Sequence, residues 1–404
     1  MSARPVDCWV PDSADLPPTR PGPLDGLTLA VKDMIAIEGR ASSFGHPRWR
    51  ATHAPSASTA PVVSRLLTAG ASVTGLAKLD QLAYSLIGNA GEGTPPLNSL
   101  YPGRFTGGSS SGPAAAVAAG LADVGLGTDT AGSIRVPAAS CGLFGLRPTH
   151  GSVSSAGVLP LAPSFDVVGL LARGTGTLGR ALGLLSSSPD DARTPAAGRA
   201  VTVPADCLDG TSAAAAQAVY ATARQIASAA GCTFAECRLA GFVSQDAADL
   251  FARIQARQVW QVHGPWLSQN GDALAADVRA RVERAEALSA GPQAQAGDDE
   301  REWRSYQRGL DQALPHGSVI VLPVIPDLPP RRDASAAELS AFRAGALRYT
   351  APASLAGRPE LVIPVRHLAS GTKLGIGLLG EAGDDLALLR IASRLCGGHH
   401  QLTV

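Results

Sequence analysis

Three short segments of this 404-residue chain carry residue types that chemistry uses. The first is Lys32–Asp33, directly behind the apolar run LTLAV at 27–31. The second is the serine cluster 109–111 inside GGSSSG, residues 107–112, and the third is Ser133 in DTAGSIR, residues 129–135. A serine hydroxyl becomes a useful nucleophile when a base takes its proton. A lysine can be that base only when neutral, and burial favours the neutral amine. Each segment alone has a plainer reading: a solvated charge at a strand end, a Gly–Ser loop, a serine capping a turn. Other chemistries fit less well. GGSSSG lacks the GK[ST] of a phosphate loop, and no GxGxxG follows a strand. No group of cysteines and histidines has metal-ligand spacing. Residues 108–112 formally match the GxSxG elbow, with His150, His263 and His367 downstream. That elbow needs a preceding hydrophobic strand, and YPGRFTG is a poor one.

The elements that would position these segments alternate. Strands are expected at 27–31, 71–76, 122–127, 201–204, 318–324, 360–365 and 374–379. Helices are expected at 59–70, with Thr59 as N-cap and Pro61 in the first turn, then at 79–86, 113–119, 175–186, 214–230, 247–262, 335–350 and 384–394. Residues 88–108 read as loop and 136–173 as turn-rich with short apolar pieces. The alternation predicts an α/β layered fold, and strand-end junctions are where such sheets assemble ligand sites. Residues 1–23 read as an irregular lead-in and 24–404 as one large domain. With 34 basic and 34 acidic residues, the net charge of zero would not steer nucleic acid to the surface. Six scattered cysteines imply a reduced, cytoplasmic setting. The first 23 residues hold no long apolar run, so neither a secretory signal nor a membrane segment is expected.

Residues 107–139, GGSSSGPAAAVAAGLADVGLGTDTAGSIRVPAA, resemble the amidase signature family. That pattern runs from one glycine–serine loop through a helix and a strand to a second. Ser109 and Ser133 are 24 positions apart, as the family has them, and the Lys-Asp pair lies upstream. GLTLAVKDMIAIEGRASSFGHPRW, THAPSASTAPVVSRLLTAGA and GSVSSAGVLPLAPSFDVVGLLAR are similar to the plant indole-3-acetamide hydrolases of that family. The resemblance implies an α/β fold with a central mixed β-sheet covered by helices on both faces.

It also implies a Ser-Ser-Lys relay. Ser133 would attack an amide carbonyl, Ser109 would pass the proton on, and Lys32 would receive it. A cis peptide at Gly108–Ser109, or in the loop close by, belongs to the same pattern. Backbone N–H groups of Thr130, Ala131, Gly132 and Ser133 would form the oxyanion hole. Asp129 and Arg135 would brace that loop. Ala131 stands where many relatives carry glycine, and a positive φ there would strain it. The implied substrate is a small carboxamide, most simply a primary amide yielding ammonia, with neither cofactor nor metal required. Anilides, urea-type amides and esters are alternatives with the same relay. So are the glutaminase component of a tRNA-dependent amidotransferase and a binding module on a retired fold. Relatives are often homodimers, which makes a second copy the implied partner. Cys141 reads as a small buried residue. His263 reads as a pocket wall or a packed helix face.

Overall fold

In the computed structural model, residues 6–404 are described apart from 12, 14, 188–199, 240, 292, 315, 368, 370 and 398–401. The strands are β1 (Thr28–Lys32), β2 (Ser72–Ala77), β3 (Val124–Asp129), β4 (Phe144–Arg147), β5 (Val167–Ala172), β6 (Ala200–Pro204), β7 (Thr233–Cys237), β8 (Val319–Pro323), β9 (Glu360–Arg366), β10 (Lys373–Leu379) and β11 (Leu402–Thr403). The helices are α1 (Pro47–Thr52), α2 (Pro61–Thr68), α3 (Ser111–Ala118), α4 (Arg135–Cys141), α5 (Thr175–Leu185), α6 (Ala213–Ala230), α7 (Gln245–Asn270), α8 (Ala276–Ser289), α9 (Gln293–Ala313), α10 (Ala336–Ala356) and α11 (Asp385–Cys396).

All these strands join one mixed sheet in the order β2-β1-β3-β5-β4-β9-β10-β8-β6-β7, with β11 beside β9. Pairing is parallel for β1 with β2 and β3, and for β6 with β7 and β8. It is antiparallel from β3 through β5, β4, β9 and β10 to β8. Successive side chains on a strand point to opposite faces, and both faces are apolar here. Leu29 and Val31 enter one core with α2, α5 and α11, while Ala30 enters another with α3 and α4. Likewise Leu361 and Ile363 of β9 face the first core and Val362 the second. The α/β sheet covered on both faces is therefore present as the sequence implied. The lead-in runs beside β2, where Trp9 bridges to Ala77 and Leu16 to Val73. An otherwise open sheet edge is covered there.

Three local expectations fail, each for a visible reason. Residues 79–86 form no helix beyond the single turn Gln81–Ala83, in which Leu82 and Ala83 have φ of 55° and 54°. Their N–H groups are committed elsewhere: Gln81 N donates to Ala90 O (3.0 Å) and Leu82 N to Phe44 O (2.8 Å). Thr59 is not the cap of α2. Ala60 holds that position, and the Thr59 hydroxyl accepts from Glu38 N at 3.1 Å. The turn-rich stretch 136–173 contains α4, β4 and β5, each buried at every position, so that no alternating or amphipathic period marks it.

Candidate active site

Lys32 is the last residue of β1 and not the first beyond it, and its side chain is fully buried. Its Nζ lies 2.9 Å from Ser109 Oγ and 2.7 Å from Thr128 Oγ1 on the adjacent β3. Thr128 donates its own proton to Met34 Sδ at 3.4 Å, so its oxygen accepts from the lysine. A neutral amine so held donates to Thr128 and has its lone pair left for the Ser109 hydroxyl. Burial lowers the Lys32 pKa from 10.5 to about 7, against the opposing charges of Asp80, Asp129 and Asp166.

Ser109 follows a cis Gly108–Ser109 peptide, the bond that the family resemblance pointed to. The loop is fixed from both sides. Gly108 N donates to Leu86 O at 2.9 Å, and Asp80 N donates to Ser109 O at 3.2 Å. A side chain at Gly108 would collide with the Asp80 carboxylate, which explains the glycine. Asp80 is buried and accepts from Gly88 N at 2.9 Å through Oδ2; the Ser85 hydroxyl and the Ala90 N–H also act on this carboxylate, although Oδ1 has no partner within hydrogen-bond geometry among the described residues. Burial pushes its pKa up to about 6 despite that N–H. Ser110 ties the two serine loops together: its N–H reaches Ser133 O at 3.3 Å and its hydroxyl Thr128 O at 3.3 Å.

Ser133 lies on the turn between β3 and α4 and is 3% exposed. Its hydroxyl has no hydrogen-bond partner among the described residues. The turn is wrapped around Asp129. That carboxylate accepts from Gly132 N (2.8 Å), Ile134 N (3.1 Å) and Arg135 N (3.3 Å). It also accepts from Arg135 Nε (3.0 Å) and Nη2 (2.9 Å), and from Arg147 Nη1 (3.2 Å). Burial alone would raise the Asp129 pKa. The Arg135 charge and hydrogen bonds, then Arg147, hold it far below the usual carboxylate range. Arg135 also reaches Glu360 Oε2 at 2.5 Å and Thr350 O at 2.7 Å, so α4, β9 and α10 meet on one guanidinium. Gly132 takes the positive φ, 122°, and a side chain there would crowd Thr350. Ala131 is not among the positive-φ residues, so alanine costs nothing there. The Ala131 carbonyl is held by Thr350 Oγ1 at 2.5 Å. Of the four oxyanion candidates, Gly132 N–H is already committed to Asp129. The N–H groups of Thr130, Ala131 and Ser133 carry no such bond among the described residues.

A family model described as Amidase matches residues 12–389, nearly the whole chain. The chain belongs to the amidase family. Amidase 1 of Oryza sativa subsp. japonica is 34% identical over 405 residues, covering 94% of this chain and 92% of that protein. A glutamyl-tRNA(Gln) amidotransferase component from Natronomonas pharaonis is 31% identical, covering 94% of this chain and 97% of its own. A crystal structure of an amidase, 27% identical, superposes with a TM-score of 0.79 over 93% of this chain and 85% of that one.

Several residues around this amidase-family centre carried no sequence signal. Thr128 touches Lys32 directly. Asp166, at the entry to β5, accepts from Thr130 Oγ1 at 2.5 Å and from Leu161 N and Ala162 N at 2.7 and 3.0 Å. It thus joins the Ser133 turn to the loop before β5. A small pocket of about 80 Å³ lies alongside, lined by Met34, Thr128, Val158, Leu159, Pro160 and Asp166 among others. His263 is buried on α7 against Phe44 and Trp49, and its Nε2 lies 2.6 Å from Pro160 O. It is a packed helix-face residue that also fixes the pocket wall. Gln81 accepts from Ala275 N at 2.8 Å and ties its loop to the α7–α8 connection. Cys141 is buried, and burial drives its thiol far above the usual value, which disfavours the reactive thiolate. Among the described residues no His, Cys, Asp and Glu group could hold a metal, and no helix is long and apolar enough to cross a membrane.

Proposed function

We propose that the chain hydrolyses the C–N bond of a small carboxamide, most simply a primary amide, giving a carboxylate and ammonia. One observation carries this reading: a sealed lysine, its pKa brought near neutrality, in hydrogen-bond contact with Ser109 at 2.9 Å. Ser133 attacks the carbonyl carbon as its proton passes through Ser109 to Lys32. The N–H groups of Ala131 and Ser133, with Thr130, meet the oxyanion. The proton returns along the same path to the departing nitrogen, which cannot leave as an anion. Water then attacks the Ser133 ester, and the relay supports this second half in the same way. Asp129 and Arg135 hold the turn and touch no reacting atom. Residues 24–404 act as one domain, in the cytoplasm.

The test is ammonia release from indole-3-acetamide, phenylacetamide, benzamide and short aliphatic amides, with Ser133→Ala prepared in parallel. Serine-dependent ammonia supports the reading. No release from any amide would end the primary-amide proposal and redirect the search to anilides, urea-type amides and esters. The likeness to an amidotransferase component supports a second reading, in which the ammonia passes to a partner. Co-purification of a second protein with the tagged chain, in fixed stoichiometry, is the result that would favour it.

A further inference from the structure

The turn that carries Ser133 is fixed peptide by peptide, with one gap. At the Asp129–Thr130 peptide the carbonyl accepts from Arg147 Nη1 at 2.7 Å. At Ala131–Gly132 both ends are held, the carbonyl by Thr350 Oγ1 at 2.5 Å and the N–H by Asp129 Oδ1 at 2.8 Å. The carbonyls of Gly132 and Ser133 accept from Val136 N at 2.7 Å and Ser110 N at 3.3 Å. The Thr130–Ala131 peptide makes no hydrogen bond at either end among the described residues. A peptide unit is planar, so its direction is set by the dihedrals at the α-carbons on either side of it. On the Ala131 side the next peptide is already fixed. The direction of the Ala131 N–H then depends on how Thr130 is held.

Thr130 is anchored from outside the turn. Its hydroxyl donates to Asp166 Oδ1 at 2.5 Å, and the residue is buried. A β-branched side chain is stiff at χ1, so a fixed hydroxyl fixes the α-carbon behind it. Asp166 is itself held in place. Its Oδ2 accepts from Leu161 N at 2.7 Å and Ala162 N at 3.0 Å, and the carbonyl before it, Phe165 O, accepts from Arg147 Nη2 at 3.0 Å. One guanidinium therefore grips the carbonyl that precedes each partner of the Thr130–Asp166 bond. We propose that Asp166 is a positioning residue of the oxyanion hole, aiming the Ala131 N–H through the Thr130 hydroxyl. This rests on the hydrolase reading of the same site and adds a residue to it. An oxyanion donor works only if it already points to where the charge develops. A donor out of line therefore weakens the transition state more than it weakens substrate binding.

Asp166 also holds two backbone N–H groups and acts by its charge on Lys32, so the test changes the other partner of the bond. Thr130→Val loses the hydroxyl at nearly constant shape, Thr130→Ala loses it with less bulk, and Thr130→Ser keeps it. Two rates are measured for each variant. The first is ammonia release, as kcat and KM, from whichever of indole-3-acetamide, phenylacetamide, benzamide and acetamide the unaltered protein turns over fastest. The second is modification of Ser133 by an alkyl fluorophosphonate, followed by intact mass. There the Ser133 oxygen bonds to phosphorus, fluoride leaves with its bonding pair, the serine proton passes to Lys32, and negative charge builds on the phosphoryl oxygen. Loss of the hydroxyl should lower kcat by about tenfold to a hundredfold, change KM by less than about threefold, and slow the modification by about tenfold or more. Thr130→Ser should recover at least about fivefold in both rates over Thr130→Val. Equal rates in Thr130→Val and Thr130→Ser overturn the proposal, and so does a loss that lies wholly in KM; ammonia release by those variants would leave the hydrolase reading standing. Modification of Ser133 that needs the Thr130 hydroxyl, with no amide turned over, upholds the positioning role and removes the amide as substrate instead.

Discussion

Replacing Lys32 with methionine should abolish activity and yet make the protein more stable at slightly acid pH. The side chains are of similar length, so the buried volume is kept. What disappears is a cation-forming group sealed at zero exposure. Its pKa falls from 10.5 to about 7 on folding, mainly through burial. At about 1.4 kcal/mol per tenfold, that drop corresponds to about 5 kcal/mol of penalty wherever both states are protonated. The unfolded chain binds the extra proton between pH 7 and 10.5, so wild-type stability climbs with pH across that window, and the penalty is full below it. Against this, methionine loses the hydrogen bonds to Ser109 and Thr128, about 1 kcal/mol each. The variant should therefore be more stable by about 2–4 kcal/mol at pH 6, with the difference gone by about pH 9.5. Guanidinium unfolding at the two pH values, followed by tryptophan fluorescence, measures it. A variant that is less stable at pH 6, by a margin that does not change with pH, would refute the idea that the fold holds this lysine near neutrality.

Three further outcomes follow from the same geometry. The kcat/KM of the hydrolysis should rise with pH through a limb near 7, because only the neutral lysine accepts the proton. Asp80→Asn removes a negative charge that favours the lysine cation, so it should move that limb to lower pH. Asparagine is nearly isosteric there and keeps an oxygen to accept from Gly88 N. A limb unmoved in Asp80→Asn would show that this charge is not felt at Lys32. Arg135→Met leaves Asp129 and Glu360 buried without their main cation, and loss of one partner from such a pair costs about 3–5 kcal/mol. A thermal midpoint within a degree or two of wild type would contradict the bracing role.

Seven strands, β1, β2, β3, β6, β8, β9 and β10, were readable because each is an apolar run bounded by turn residues, and helices such as α6 and α10 because their caps and periodicity are strong. Ser335 and Glu338, for example, form a capping box at the start of α10. The three relay candidates were readable because their local motifs recur in a fixed order along the chain. What stayed hidden depends on contacts between distant segments. Thr128 is one polar residue near the end of an apolar strand, and nothing local says that a lysine 96 positions away lies 2.7 Å from it. The 79–86 segment has helical spacing, but its N–H groups are taken by Phe44 and Ala90, which sequence periodicity cannot see. Arg147 and Glu360 did leave a signal. Each is a charge at the end of an apolar strand, FGLR and ELVIPVR, and each is fully buried. A charge in such a place needs a partner of opposite sign, and here they share a network with Asp129 and Arg135.

That network also separates two kinds of buried charge. With Glu360 ionised, Asp129, Glu360, Arg135 and Arg147 balance at net zero, two of each sign, around the Ser133 turn, although burial raises the Glu360 pKa. Asp129 is held too low to protonate in the working range. The guanidinium of Arg135 keeps its charge there as well. The turn carrying Ser133 therefore keeps the same hydrogen bonds between about pH 6 and 8. Among the described residues Lys32 has only neutral hydroxyl partners, Ser109 and Thr128, and no carboxylate in contact. Its charge is offset only at a distance, so it responds to pH where the turn does not. An activity limb near pH 7 would then belong to the lysine, with Asp80 beneath it, and not to loosening of the nucleophile's loop. Were the loop the responsive part, the limb would persist in position after Asp80→Asn and shift instead when Arg147 or Glu360 is changed.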